Sequence, residues 1–110
     1  MSEYTPDRWV VLNINNTIHK ILSGWYGGYL DGDSWRLSSG ITKIIKHLDH
    51  LEIHNESGSI YYCYLSNYGT TSYTDSILND WKSQADSRNI LIEMIDYNTL
   101  LNLYGKQNEY

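Results

Sequence analysis

The sequence predicts an α+β domain in which an antiparallel meander sheet of about five or six strands carries one main amphipathic helix on one face. Three observations lead to this fold class. The first half of the chain alternates short β-branched and aromatic segments with Asn- and Gly-containing turns. The hydrophobic period then changes from two residues to about 3.6 near Tyr73. A length of 110 residues with one proline suits a single folded domain, 1–110.

The strands are expected in six short segments separated by turn residues. The first two flank Asn15-Asn16, and asparagine tolerates the positive φ angles that a tight hairpin turn requires. Both parities of the first segment are apolar, so we expect both of its sides to be covered. The lone Cys63 excludes an intrachain disulfide and suits a small buried strand residue. The predicted strands are residues 8–15, 17–22, 41–47, 51–55, 59–65 and 89–95.

An amphipathic helix is expected at residues 74–87. Its apolar side chains recur about every four residues, while charged and amide side chains occupy the other sides. Ser72 is positioned to cap the helix, and Asp75 suits the positive end of its dipole. A short helical segment is expected at residues 97–104. The face predicted to pack on the sheet consists of Tyr73, Ile77, Leu78, Trp81 and Ala85.

The charge balance and the apolar runs restrict the partners and the compartment. Eight Lys and Arg against 13 Asp and Glu leave a net charge of −5, which disfavours nucleic acids and anionic membranes as partners. No apolar run approaches the roughly 20 residues of a membrane-spanning helix. Residues 1–7 lack the basic and apolar parts of a signal peptide, so a cytoplasmic protein is expected. Residues 1–7 and 105–110 are expected to be flexible.

Catalytic and metal-binding signatures are absent from the sequence. It contains no GxSxG elbow, phosphate-binding loop or CxxC pair, so we predict that the protein is not an enzyme and uses no cofactor. His47, His50 and His54 have mixed parity across a turn predicted at residues 49–50, which does not place all three imidazoles on one strand face. A metal site is therefore not expected.

Residues 23–40 are the segment best suited to binding. They hold five of the eight glycines and two of the four tryptophans. Gly27, Gly28 and Gly32 allow tight backbone turns, while Arg36 offers a charged hydrogen bond. The alternative interpretation is a long hairpin whose glycines form turns and whose aromatic side chains pair across strands. The predicted binding side chains are Trp25, Tyr29, Asp33, Ser34, Trp35 and Arg36.

Three segments of the chain carry a family resemblance. They read GGYLDGDSWRLSSGI at residues 27–41, SGSIYYC at 57–63 and YGTTSYT at 68–74. Together they resemble a group of short proteins of unknown function that tailed bacteriophages and some bacteria carry. The resemblance covers residues 9–81 and includes no catalytic motif. It implies a small bacteriophage protein that binds and inhibits or modulates a host bacterial protein, for instance one of a defence system.

The resemblance leaves several classes of function open. An inhibitor of a host protein would use exposed Trp and Tyr side chains as hot spots. A protein that sequesters a nucleotide signal would use Arg36 and the glycine amides, and a structural protein or small enzyme comes third. We prefer a protein partner because residues 23–40 contain one basic residue, whereas phosphate-rich ligands usually meet several. The 11 Tyr and four Trp also leave a homodimer open.

Overall fold

Two four-stranded sheets and two α-helices make up the part of the chain, residues 2–27 and 32–104, that a computed structural model describes. The α+β class is confirmed, whereas the single sheet of five or six strands is not, because the strands divide between two sheets. The strands are β1 (Glu3–Tyr4), β2 (Arg8–Ile14), β3 (Ile18–Trp25), β4 (Ser34–Leu37), β5 (Ile41–Lys46), β6 (His50–Asn55), β7 (Ile60–Tyr64) and β8 (Ile92–Ile95). The helices are α1 (Ser72–Asp86) and α2 (Tyr97–Leu103), and a 3-10 turn spans Leu65–Asn67.

The strand order is β1-β7-β6-β5 in the first sheet and β4-β3-β2-β8 in the second. All neighbouring strands are antiparallel except β1 and β7. The turn between β2 and β3 contains Asn15 and Asn16 with φ angles of 53° and 58°, as the asparagine pair predicts. After β4, residues 38–40 take the chain from the second sheet to the first. This crossing divides the predicted meander into two sheets.

The two sheets face each other across the main hydrophobic core. Strand β2 contributes Trp9 and Val11 to this core, and helix α2 contributes Leu100. On the opposite face of β2, Val10 and Leu12 pack against helix α1. Strand β2 is therefore covered on both sides, as its apolar residues at both parities predict. The first sheet contributes Ile41, Ile44, Leu51, Ile53, Tyr61 and Cys63 to the main core.

Helix α1 begins at Ser72, two residues before the predicted start, and its cap differs from the predicted one. Thr71, rather than Ser72, is the N-cap, because the Thr71 hydroxyl accepts a hydrogen bond from the Thr74 backbone N–H at 3.0 Å. The Thr74 hydroxyl in turn accepts from the Thr71 N–H at 2.9 Å. This reciprocal capping box satisfies backbone donors at the helix start without any ligand.

The inward face of helix α1 differs from the predicted face at the first turn. Leu78 and Ala85 are buried and Trp81 is half-buried, as predicted, but Tyr73 is 43% exposed. Thr74 is buried in its place. Because Thr74 lies one helical turn before Leu78, it shares the inward line of that residue, and Tyr73 is rotated outward.

Residues 3–4 form strand β1, whereas the sequence predicts a flexible segment at 1–7. Glu3 and Tyr4 pair in parallel with Ile60 and Tyr61 of β7. The rings of Tyr4 and Tyr61 also pack with centroids 4.9 Å apart. Backbone pairing and this ring contact hold β1 to the first sheet. The flexible segment predicted at 105–110 lies outside the described residues.

The C-terminal elements follow the predicted order with adjusted bounds. Strand β8 is shorter than the predicted 89–95, because Asn89 takes a positive φ of 57° and ends the preceding helical segment. Helix α2 agrees with the prediction for 97–104 and is capped by Asp96, whose carboxylate accepts from the Thr99 N–H at 2.8 Å. Cys63 is fully buried, as predicted. Neither helix in the described part of the chain has the length and apolar character needed to cross a membrane.

Candidate binding surface

Strands β3 and β4 form the hairpin that carries the predicted binding residues. Trp25 at the end of β3 is paired with Ser34 at the start of β4. Because successive side chains of a strand point to opposite sides, Trp35 and Arg36 leave β4 on opposite faces of the second sheet. Arg36 is on the face turned toward the first sheet, and Trp35 is on the face that helix α1 covers. The structure therefore divides the predicted binding residues between two surfaces.

Backbone contacts close the described ends of the β3–β4 connection. The backbone N–H of Gly27 donates to the Asp33 carboxylate at 3.3 Å, and Gly32 has a positive φ of 69°. A Cβ atom on Gly27 would overlap the carbonyl oxygen of Gly32, so this close approach requires glycine. Asp33 therefore has a local partner on its own hairpin. Gly28 and Tyr29, the other two predicted members here, lie outside the described residues.

Arg36 holds strand β1 against the hairpin. Its guanidinium carbon lies 4.6 Å from the ring centroid of Tyr4, a cation–π contact. Burial raises the pKa of the Tyr61 hydroxyl, and the positive charge and hydrogen bond of Arg36 offset part of that rise. On the same side, Trp25 donates from Nε1 to the Thr5 carbonyl at 3.1 Å. Arg36 and Trp25 thus have packing roles, which agrees with the structural interpretation of the hairpin for these two residues.

Trp35 contributes to an exposed surface on the other side of the hairpin. Its ring meets the ring of Trp81 edge to face, with centroids 5.4 Å apart and planes at 74°, yet Trp35 is 40% exposed. Tyr73, Ile77 and Trp81 follow one another at four-residue intervals along helix α1, so they form one stripe. We call Trp35, Tyr73, Ile77 and Trp81 the aromatic surface. Tyr26, 58% exposed at the end of β3, adds a further aromatic side chain to the hairpin.

Gly24 fixes the position of helix α1 on the hairpin. A Cβ atom at this position would meet the Thr71 and Thr74 methyl groups at 2.9 and 3.0 Å. The start of the helix therefore lies directly on the backbone of β3, next to the strand that carries Trp35. The hydroxyl groups of Thr71 and Thr74 bond within the capping box. Further along the same helix, Trp81 meets Trp35, with ring centroids 5.4 Å apart.

The three clustered histidines share the outer face of the first sheet, so the prediction from their parity is wrong. In the tight turn between β5 and β6, the His47 N–H donates to the His50 carbonyl at 2.9 Å, which places these two residues opposite each other. Their rings stack at 4.6 Å. The Glu52 carboxylate accepts from His47 at 2.9 Å and from His54 at 2.7 Å. Within residues 2–27 and 32–104, no three His, Cys, Asp or Glu side chains are arranged to hold a metal ion.

Glu52→Gln is expected to remove an acid-dependent part of the stability. Burial alone would raise the pKa of Glu52, but hydrogen bonds from His47 and His54 lower it below the ordinary 4.5. A carboxyl group with a depressed pKa stabilises the fold above its unfolded pKa, and this contribution is lost as the pH falls through the folded pKa. Urea unfolding should therefore show a steeper loss of stability below about pH 4.5 for the wild type than for the variant. Parallel pH profiles would contradict the shared hydrogen bonding of Glu52.

A shallow cleft of about 170 Å³ lies between helix α1 and the start of β8. Among the described residues that line the cleft, the exposed Arg88 carries the only cationic group, and the other lining residues are largely apolar. Pockets for drug-sized ligands usually measure about 300–1,000 Å³, so the cleft suits one ring or one side chain rather than a whole nucleotide. The lining residues are Trp81, Gln84, Ala85, Arg88, Ile90 and Ile92.

The sequence singles out residues 23–40, which contain the β3–β4 hairpin, but it does not identify the side chains that contact this hairpin. Trp81 follows from the helical period as a packing residue, yet its contact with Trp35 depends on where α1 crosses the sheet. Tyr4, the partner of Arg36, belongs to a segment that the sequence predicts to be flexible. Strand β4 is not among the predicted strands, so the sequence does not predict that Trp35 and Arg36 point to opposite faces of a sheet; their adjacency in the chain is the only available signal.

Comparisons with known proteins found no match among protein-family models, curated proteins or solved structures. Function is therefore inferred from the exposed side chains of the hairpin and of helix α1.

Proposed function

We propose that the protein binds and modulates a partner protein through the aromatic surface, and that this partner is a host bacterial protein, as the bacteriophage resemblance implies. The observation that carries the proposal is Trp35, which remains 40% exposed although its ring contacts Trp81 of helix α1. Tryptophan and tyrosine dominate the energetics of protein interfaces. Three exposed aromatic side chains on one hairpin and the adjacent helix, Tyr26, Trp35 and Tyr73, provide such anchors.

The support beneath Trp35 favours binding. Its edge-to-face contact with Trp81 restricts the ring, and the neighbouring Arg36 fixes β4 from the other side. A side chain that is already ordered loses less conformational entropy when it enters a partner's pocket. The described contacts therefore lower one of the main costs of association.

The charge of the chain favours a partner with a basic surface. A net charge of −5 accelerates encounters with basic patches and opposes non-specific adsorption to nucleic acid. We place the interaction in the bacterial cytosol, where the unpaired Cys63 thiol would stay reduced. Burial also raises the pKa of this thiol, which makes it a poor nucleophile.

A nucleotide is the second candidate partner, and the cleft beside Trp81 is the observation that favours it. A base ring can stack on Trp81 while Arg88 pairs with a phosphate or carboxylate group. The small volume argues against this candidate. Arg36, the cation on which the sequence-based version depends, also lies on the face of the second sheet opposite the one that helix α1 and this cleft occupy. A protein partner therefore remains our preferred proposal.

Trp35→Ala is expected to abolish stoichiometric capture of a protein from a bacterial lysate. Loss of a hot-spot tryptophan typically costs about 2 kcal/mol or more, which is about a 30-fold loss of affinity. Leu48→Ala is the matched control, because Leu48 is 82% exposed at the tip of the β5–β6 hairpin on the other sheet. Capture that persists with Trp35→Ala would overturn the proposal. A nucleotide retained in native mass spectrometry, with no captured protein, would favour the second candidate.

A further inference from the structure

Strand β4 is an open edge of the second sheet. Among the described strands it pairs with β3 alone. The Ser38 N–H donates to the Ile21 carbonyl at 2.9 Å at the end of this ladder. Because antiparallel bonding alternates along a strand, Arg36 also bonds inward, and the N–H and C=O groups of Trp35 and Leu37 point away from the sheet. These four backbone groups form no hydrogen bond within the described part of the chain.

The two sides of this edge offer different surroundings. On the helix side, Trp35 and Trp81 form an aromatic wall that continues along α1 to Tyr73. The Arg36 guanidinium lies on the other side, in a cation–π contact with the Tyr4 ring. No carboxylate among residues 2–27 and 32–104 lies within 4.0 Å of Arg36. A chain laid along β4 would therefore meet apolar rings on one side and, on the other, a positive charge that no carboxylate of the described residues pairs with.

We propose that the partner adds an extended segment to β4 as a further strand of the second sheet. This inference rests on the proposed function and specifies the form of the partner. The segment carries apolar side chains at alternate positions facing Trp35 and Trp81, and an acidic side chain between them facing Arg36. Backbone hydrogen bonds to Trp35 and Leu37 supply affinity, while the alternating side chains supply specificity.

A second copy of the chain fits this edge poorly. If two β4 strands paired antiparallel so that Trp35 and Leu37 all exchanged hydrogen bonds, the two-fold axis would pass beside Arg36. The two Arg36 side chains would then stand directly opposite each other, and like charges in that position destabilise a strand pair. A separate polypeptide with an acidic residue at that position converts the same arrangement into an attraction.

The test uses the synthetic peptide acetyl-Ser-Thr-Val-Glu-Val-Thr-Ser-amide at millimolar concentration and amide hydrogen exchange measured by NMR. The amides of Trp35 and Leu37 should exchange at least about tenfold more slowly with the peptide than without it, because they gain hydrogen bonds. The amide of Arg36, which already bonds to β3, should change little and serves as the internal control. No slowing at Trp35 and Leu37 would overturn the strand addition.

Two comparisons separate this inference from the proposed function. Replacing Glu by Gln in the peptide should weaken binding to the wild type about twofold to fivefold, but should not weaken binding to the Arg36→Gln variant. Equal effects on both proteins would refute the pairing with Arg36. If Trp35→Ala abolishes capture of the partner but the peptide does not slow exchange of the Trp35 and Leu37 amides, that combination would support the proposed function and overturn the strand addition. Protection without peptide, together with a dimer in light scattering, would identify a second copy as the occupant and overturn the proposal.

Discussion

Replacing Trp9 by Ala is expected to lower the free energy of unfolding by about 3–5 kcal/mol. Trp9 is fully buried between the two sheets, where its ring meets Tyr68 edge to face at 4.9 Å. Its Nε1 also donates to the Tyr64 carbonyl at 2.8 Å and so ties β2 of the second sheet to the end of β7 in the first. The substitution leaves a large cavity and removes the partner of that carbonyl. Urea unfolding monitored by circular dichroism measures the loss.

Two further variants serve as controls for Trp9→Ala. Trp9→Phe keeps a buried aromatic ring but removes the hydrogen bond and part of the ring volume, so its cost sets an upper bound on the contribution of the Tyr64 contact. Trp35→Ala deletes the same side chain where it is 40% exposed, and we expect a cost of about 1 kcal/mol, mainly from the contact with Trp81. Similar costs for Trp9→Ala and Trp35→Ala would contradict a core shared by the two sheets.

The two-sheet arrangement shows where local pattern stops determining the fold. The strand pattern and the asparagine turn after β2 predict the first hairpin, because backbone preferences of adjacent residues decide them. Because both alternating sets of positions in β2 are apolar, the sequence also predicts that other elements pack on both faces of this strand. Whether the strands after residues 38–40 extend the same sheet or fold across it depends on long-range packing around Trp9, and alternation within a strand does not encode that choice.

The histidine cluster and the hairpin show the same limit at the level of single residues. Parity along the chain separates His47 from His50, but the turn of residues 48–49 reverses the strand and sets the two residues opposite each other. Within strand β4, by contrast, adjacency alone places Trp35 and Arg36 on opposite faces, because both lie within one strand. Sequence patterns therefore identify faces within an element, whereas the pairing between elements decides which faces coincide.

In helix α1, contacts with the sheet decide which side chains face inward at the first turn. The spacing of its apolar residues is compatible with two inward faces, one centred on Tyr73 and Ile77 and the other on Thr74 and Leu78. The capping box and the close approach to Gly24 bring Thr74 against β3 and so select the second face. Tyr73 is left toward solvent, and the half-buried Ile77 and Trp81 follow it on the same stripe of the aromatic surface.

Leu78→Ala is accordingly expected to lower the free energy of unfolding by about 2–5 kcal/mol. Leu78 is 3% exposed and packs with Val10, Leu12 and Leu22, so its truncation opens a cavity between helix and sheet. Tyr73→Ala on the same helix is the matched control, and we expect a change of about 0.5 kcal/mol because Tyr73 faces solvent. Urea unfolding of both variants decides between the two faces. The reverse order, with Tyr73→Ala the more costly change, would mean that Tyr73 packs inward at the first turn of α1, and Tyr73 would then be unavailable to a partner.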